Sequence, residues 1–286
     1  MKKIVAVVCL AFAGVAVSAY DIAAGMQING AVKGVMRTEY SIVSKFGEYF
    51  RTPDSKFITV YDAAGHIVES SELTARDVLV NRIVNSYDAA GKLVGQTGFD
   101  SNKVEVWKSV ILYKDGVRSE CAEYGRNGVL KSRTLYTYAD DGSFFDETYY
   151  DGDGAIVWKK ICKFDGKKRV ESEFEYFSDG SLDEERRYTY TDDGKNDTIS
   201  YYDAAGKMTA KDVFRYDDAG VLVEVTTYNA DDVVSLRKIV KYDTLGNLSK
   251  ITAYSVSAKF GTTVNEMVDM TEYVYDYGMQ TYFNAK

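Results

Sequence analysis

Tyr202-Asp203-Ala204-Ala205-Gly206-Lys207-Met208 is one unit of a pattern that runs through most of the chain. The tyrosine suits the end of a strand, where an aromatic ring packs well on a pleated surface. Asp203 is placed to accept hydrogen bonds from backbone amides two residues on and so to start a turn. Gly206 supplies the positive φ that closes a short hairpin loop with a bulge. Met208 then restarts a strand. The same grammar stands at Tyr61-Asp62-Ala63-Ala64-Gly65, Tyr87-Asp88-Ala89-Ala90-Gly91, Tyr216-Asp217-Asp218-Ala219-Gly220 and Tyr242-Asp243-Thr244-Leu245-Gly246.

From Tyr124 to Tyr254 the aromatic recurs with steps that alternate 14 and 12. So strict a period specifies an array of supersecondary units. The position six after each aromatic is nearly always apolar, as at Ile67, Leu93, Leu130, Leu182, Met208, Leu222 and Leu248. Even offsets lie on one face of a strand. They predict a sheet with all the aromatics on an apolar face, and a charged face opposite, as in Glu171, Glu173 and Glu175 or Asp183, Glu185 and Arg187. The 11-residue step from Tyr113 to Tyr124 breaks parity and predicts a different turn type or a bulge at Lys114-Asp115-Gly116. The slot at Leu73 to Ala75 lacks its aromatic.

The expected fold is all-β: an antiparallel up-and-down meander of hairpin repeats forming a long, twisted or coiled sheet. A flat open sheet of so many strands is excluded, since large sheets curl, split or close. The expected organisation is a signal peptide over 1–19, an N-terminal cap over 20–57, the repeat array over 58–255, and C-terminal capping strands over 256–286. Lys2 and Lys3, the apolar run Ile4 to Val15, and Val17-Ser18-Ala19 read as an export signal cleaved before Tyr20. Cys9 lies too near the start of that signal to mark lipid attachment.

The repeat resembles the YD repeats of Rhs-type bacterial proteins over roughly residues 58–255. That resemblance implies a long antiparallel β-meander. Rhs shells also wind around a toxic C-terminal cargo and carry a self-cleaving core that contains Pro and Asp. This chain has one proline, Pro53, and no such core.

The 286 residues carry a net charge of −8 with acidic and basic residues interleaved, which argues against a nucleic-acid partner. The two cysteines beyond the signal, Cys121 and Cys162, fall on opposite faces in this frame and three strands apart. That is roughly 14 Å, too far for a disulfide. The single histidine, His66, follows a turn glycine and reads as a surface residue rather than a catalytic base. Stacked acidic turns (Asp140-Asp141, Asp151 with Asp153, Asp192-Asp193, Asp217-Asp218) offer oxygens for calcium, but solvated turn chemistry explains them better. Trp107 and Trp158 occupy the same repeat slot on the packed face. Tyr149 and Tyr201 fall on the charged face and are the array aromatics expected to make exposed contacts.

No catalytic, cofactor or metal residue is assigned, and no cofactor is expected. The expected function is an exported, non-enzymatic structural or interaction scaffold in the bacterial envelope or extracellular space, binding a protein or a glycan there. The alternatives are an outer-membrane β-barrel, against which Glu184 and Arg186 stand mid-strand on the apolar face, and a carbohydrate-binding or carboxylate-based enzyme.

Overall fold

A computed structural model describes residues 21–25, 28–259 and 261–278. The expected signal segment and Cys9 lie outside the described residues. A one-turn 3-10 helix, Ile22–Gly25, precedes the strands. The first six strands are β1 (Gly34–Lys45), β2 (Glu48–Tyr61), β3 (Ile67–Thr74), β4 (Leu79–Tyr87), β5 (Leu93–Asp100) and β6 (Glu105–Lys114). Next come β7 (Val117–Gly125), β8 (Leu130–Tyr138), β9 (Phe144–Asp151), β10 (Ile156–Phe164), β11 (Val170–Phe177) and β12 (Leu182–Tyr190). The last six are β13 (Asn196–Asp203), β14 (Met208–Tyr216), β15 (Leu222–Asn229), β16 (Val234–Tyr242), β17 (Leu248–Lys259) and β18 (Thr262–Asp276).

Each strand pairs antiparallel with its sequence neighbours, and β18 pairs back onto β1 from Gly34 opposite Asp276 to Ser41 opposite Asp269. The 18 strands therefore close into one β-barrel. This corrects the expected long, coiled sheet. Closure removes both free edges, which would otherwise present unpaired backbone groups. The segments expected to cap the array contribute β1, most of β2, the end of β17 and all of β18, and so carry the seam of the ring.

The hairpin loops follow the turn grammar. In the 203–207 loop, the Asp203 N–H donates to the Lys207 carbonyl and the Gly206 N–H to the Asp203 carbonyl, at 3.0 and 2.9 Å. Asp203 Oδ1 also accepts from the backbone of Ala205 and Lys207. Gly206 takes φ +75°, open only to glycine without strain. At the parity break, Asp115 and Gly116 have φ values of 52° and 84°, giving a tight two-residue turn between Lys114 and Val117. The sequence expectation of a different turn there holds.

The even offsets do not keep every aromatic on one face. Nearly every hairpin carries a register shift beside its aromatic; Tyr201 faces Ala210 while Tyr202 faces Met208. The skipped residue flips parity between strands. On β14 the buried residues Asp212 and Phe214 stand at even offsets from Tyr216. On β13 Ile199 and Tyr201 stand at odd offsets from Tyr202, and Ile199 pairs with Asp212. Aromatics ending the even-numbered strands therefore turn inward: Tyr216 and Tyr242 pack against the core cluster. Tyr202, on an odd-numbered strand, turns outward beneath the Arg187 guanidinium, 4.3 Å from its ring centre.

The inward tyrosines also tie one rim together. Tyr87, Tyr113, Tyr190, Tyr216 and Tyr242 each donate from the hydroxyl to the carbonyl of the residue 20 positions earlier, at 2.6–3.0 Å. His66 belongs to the same rim. It stacks on Tyr87 at 4.8 Å and its Nδ1 lies 3.0 Å from Asp62.

The flipped parity brings Cys121 and Cys162 to the same, inner face; Cys121 pairs with buried Ile111, and the two cysteines form no disulfide. The two tryptophans are packing residues. Trp158 stacks on Tyr149 at 5.5 Å. Trp107 stands opposite Gly98, and a side chain added at Gly98 would run into its indole ring. Gly98→Val is expected to destabilise the protein by about 2 kcal/mol, as other overpacked sites do. Thermal melting checks this, and an unchanged midpoint would remove the Trp107–Gly98 contact from the packing account.

Candidate functional site

The two faces of the wall differ in burial. The inner face holds Ile199, Val225, Cys162, Asp212 and Val240, all at 4% exposure or less. The outer face carries Arg187 and Arg215, whose side chains are 54% and 62% exposed.

Two polar regions line the inside. The first crosses β10 to β15. Glu173 accepts from the Tyr188 hydroxyl at 2.5 Å and the Cys162 thiol at 3.3 Å, and pairs with Lys160 at 2.9 Å. Arg186 joins Glu184 at 2.5 Å, Glu175 at 3.2 Å and Glu173 at 3.7 Å. Burial pushes the Glu173 carboxyl up, but Lys160, Tyr188 and Arg186 outweigh it and hold it below the usual range. Burial pushes the Cys162 thiol up, so it stays protonated and unreactive. Beside this network Asp212 accepts from Tyr201 at 2.9 Å and Thr227 at 2.5 Å. These contacts saturate one another and form a wall that is polar and closed.

Tyr201 is therefore not an exposed contact. It is 6% exposed, with its hydroxyl engaged by Asp212. Tyr149 is half-buried against Trp158. Parity counted from Tyr150 and Tyr202 puts both in the charged set, and the flipped frame makes that set the inner one on odd strands. For the same reason Glu184 and Arg186 face the interior, so they say nothing about what the outer wall meets.

The second region is an open cleft of about 250 Å³ under the 3-10 helix. The helix starts on Asp21, whose Oδ1 accepts from the Ala23 N–H at 2.9 Å. Ile22, 3% exposed, inserts into the cluster of Ile199, Phe214, Val225, Val240 and Leu248. That anchor seats the helix on the inner wall. Asp21, Arg37, Glu39, Lys238, Asp269 and Tyr273 then line the cleft. Arg37 pairs with Glu39 at 3.1 Å and lies 4.1 Å over the Phe57 ring, while its buried Nε has no hydrogen-bond partner among the described residues. Burial holds the Lys238 ammonium below the usual lysine range, with Asp212, Asp21 and Asp269 opposing. The Asp269 carboxyl is pushed up by burial and by Glu39, with Lys238 opposing. Sequence reading missed this site because its residues come from five separated stretches.

The acidic turns are occupied by their own backbone. Asp151 Oδ1 accepts from Asp153 and Ala155, and Asp217 Oδ1 from Ala219 and Val221. Among the described residues no three His, Cys, Asp or Glu side chains gather in a metal-binding arrangement.

On the outer wall, charges lie within the strands and pair both across and along them. Glu224, 6% exposed, lies between Arg215 at 2.6 Å and Arg237 at 2.7 Å. Arg237 foremost, with Arg215 and Thr226, holds its carboxyl at about 2 against the effect of burial. The stability that Glu224 contributes is complete above its ordinary 4.5 and is lost as pH falls toward about 2. Glu224→Gln is expected to flatten the acid limb of the stability–pH curve in that window, checked by urea melts at stepped pH. An unaltered limb would remove Glu224 from the account. Arg51 and Lys250 meet Glu272 at 2.6 and 2.9 Å, and Arg187 meets Glu185 at 2.7 Å.

No protein-family model and no curated protein matches the chain. Among solved structures, a porin-like protein from Bacteroides uniformis ATCC 8492 aligns with a TM-score of 0.46 at 9% identity, covering 87% of this chain and 99% of that one. A porin-like protein from Bacteroides vulgatus ATCC 8482 aligns at 0.34 and 12% identity, covering 86% and 98%. The Photorhabdus luminescens Tc holotoxin pore aligns at 0.36 and 12% identity, covering 82% of this chain and 15% of that one. No helix among the described residues is long and apolar enough to cross a membrane, which leaves strands out of account.

Proposed function

We propose that the protein is an exported β-barrel whose outer wall stands in water, acting as a non-enzymatic binding scaffold of the bacterial envelope or extracellular space. The observation that carries this reading is the outer wall itself. Arg187, Glu224, Arg237 and Lys250 lie inside their strands on the outer face, where a lipid-facing barrel carries an apolar band. An Arg or Lys at the bilayer midplane costs about 2–4 kcal/mol in such a barrel. Most strands from β3 to β16 are also only 8 or 9 residues long, at or below the roughly 9–11 that a tilted spanning strand uses. The polar inner network and the repeat resemblance fit a structural wall built for rigidity.

A second reading, an outer-membrane barrel, is favoured by ring closure over an even number of antiparallel strands behind a signal-like N-terminus. Cell fractionation separates the two. Recovery of the native protein in the periplasm or medium without detergent supports the water-facing scaffold. Retention in the membrane pellet through carbonate washing, with release only by detergent, overturns it in favour of the lipid-embedded barrel.

A further inference from the structure

The cleft under the 3-10 helix has an arrangement that a merely structural wall does not need. In the network around Glu173 and Arg186, each buried charge meets an opposite charge directly. In the cleft, half-buried Lys238 and the exposed Asp269 at its mouth lie within electrostatic reach of each other, yet the side chain of neither makes a hydrogen bond or ion pair among the described residues. A half-buried ammonium without a partner is an unfavourable end state. Open space separates the two groups and is continuous with solvent.

The lining selects the ligand by sign. A simple anion would meet Lys238 and Arg37 but also Asp21, Glu39 and Asp269. A simple cation would meet the reverse. A molecule carrying one charge of each sign satisfies both halves at once. At about 250 Å³ the cleft falls below the roughly 300–1,000 Å³ of sites for drug-sized ligands. Ile22, Ile251 and Tyr273 add an apolar wall beside the charges.

We propose that this cleft binds a small zwitterion of the α-amino-acid class, its carboxylate on Lys238 with Arg37, its ammonium on Asp269 with Glu39, and its side chain against Ile22, Ile251 and Tyr273. The inference goes beyond the scaffold reading by giving the interior a ligand. It depends only on the inner wall.

The test is isothermal titration of the purified exported chain with L-leucine, beside isovalerate and isoamylamine, which each carry one of its two charges. Saturable leucine binding is expected, with each single-charge analogue weaker by about tenfold or more, as the loss of a charged hydrogen bond implies. Lys238→Met and Asp269→Asn are each expected to weaken leucine by a similar factor, while Lys238→Arg retains it. Circular dichroism and the melting midpoint verify that each variant is folded. Absence of saturable leucine binding at millimolar concentration overturns the proposal. So does equal binding of isovalerate, or unchanged affinity in folded Asp269→Asn. Fractionation reports on the scaffold reading separately, so either can fail without the other.

Discussion

Replacement of Asn247 by alanine is expected to lower the melting temperature by about 10 °C, the equivalent of about 3–5 kcal/mol for a domain of this size. Asn247 is completely buried. It stands directly after a turn glycine, where Val221 is 38% exposed in the preceding repeat of that turn. Its Oδ1 accepts from the Asn29 N–H at 2.6 Å, and its Nδ2 donates to the Asn29 carbonyl at 3.1 Å and the Tyr277 hydroxyl at 3.0 Å. One amide side chain thus clasps the segments before β1 and after β18 to the turn between β16 and β17. Alanine would remove three part-buried hydrogen bonds, each worth about 1 kcal/mol, and leave a void at a completely buried position as well. Hydrogen exchange should show Asn29 and the 3-10 helix losing protection first. A change of less than about 0.5 kcal/mol, the level of an ordinary surface substitution, would sink the clasp.

Arg186→Met comes next in size, at about 3 kcal/mol, because removing one member of a buried ion network strands its partners. Arg186 is 18% exposed and touches Glu173, Glu175 and Glu184. Without it, three carboxylates remain close together with Lys160 as the chief counter-charge. The pH dependence then changes sign. In the native protein the Glu173 carboxyl is held low, so its contribution is present above the ordinary carboxylate range and lost as pH falls. In Arg186→Met the crowded carboxylates are raised instead, so stability should recover as pH falls through that range. Chemical denaturation at neutral and mildly acid pH checks both parts, and a loss equal at the two pH values would place the effect in packing rather than charge. Tyr188→Phe offers a milder comparison, since it removes one hydroxyl from Glu173 and leaves every charge in place.

The turns were legible in the sequence because their chemistry is local. An aspartate whose oxygen reaches amides two and four residues on needs nothing distant, and neither does a glycine at positive φ. The tight turn at Asp115-Gly116 was legible as a break in parity for the same reason. Sidedness was not. Counting even offsets holds within a strand, but the residue skipped at nearly every hairpin resets the count for the next one. Offset counting alone accordingly puts Tyr201 on an exposed face and Cys121 and Cys162 on opposite faces. The Lys238 cleft left no signature, since its lining comes from positions as far apart as Asp21 and Tyr273.

What the sequence by itself determined is the unit: a strand, an Asx-started turn, a glycine, another strand, repeated with one period, because those steps rest on propensity and short-range hydrogen bonds. What only the tertiary structure decided is closure, and with it the meaning of inside. Pairing of β18 with β1 joins residues more than 200 positions apart, and no local rule bears on that. Once the ring closes, the same alternation of side chains becomes two different environments. One is a crowded interior where Glu173, Arg186 and Asp212 bury their charges among partners, and the other is an outer wall where Arg187 and Arg215 stay more than half exposed even when paired with Glu185 and Glu224.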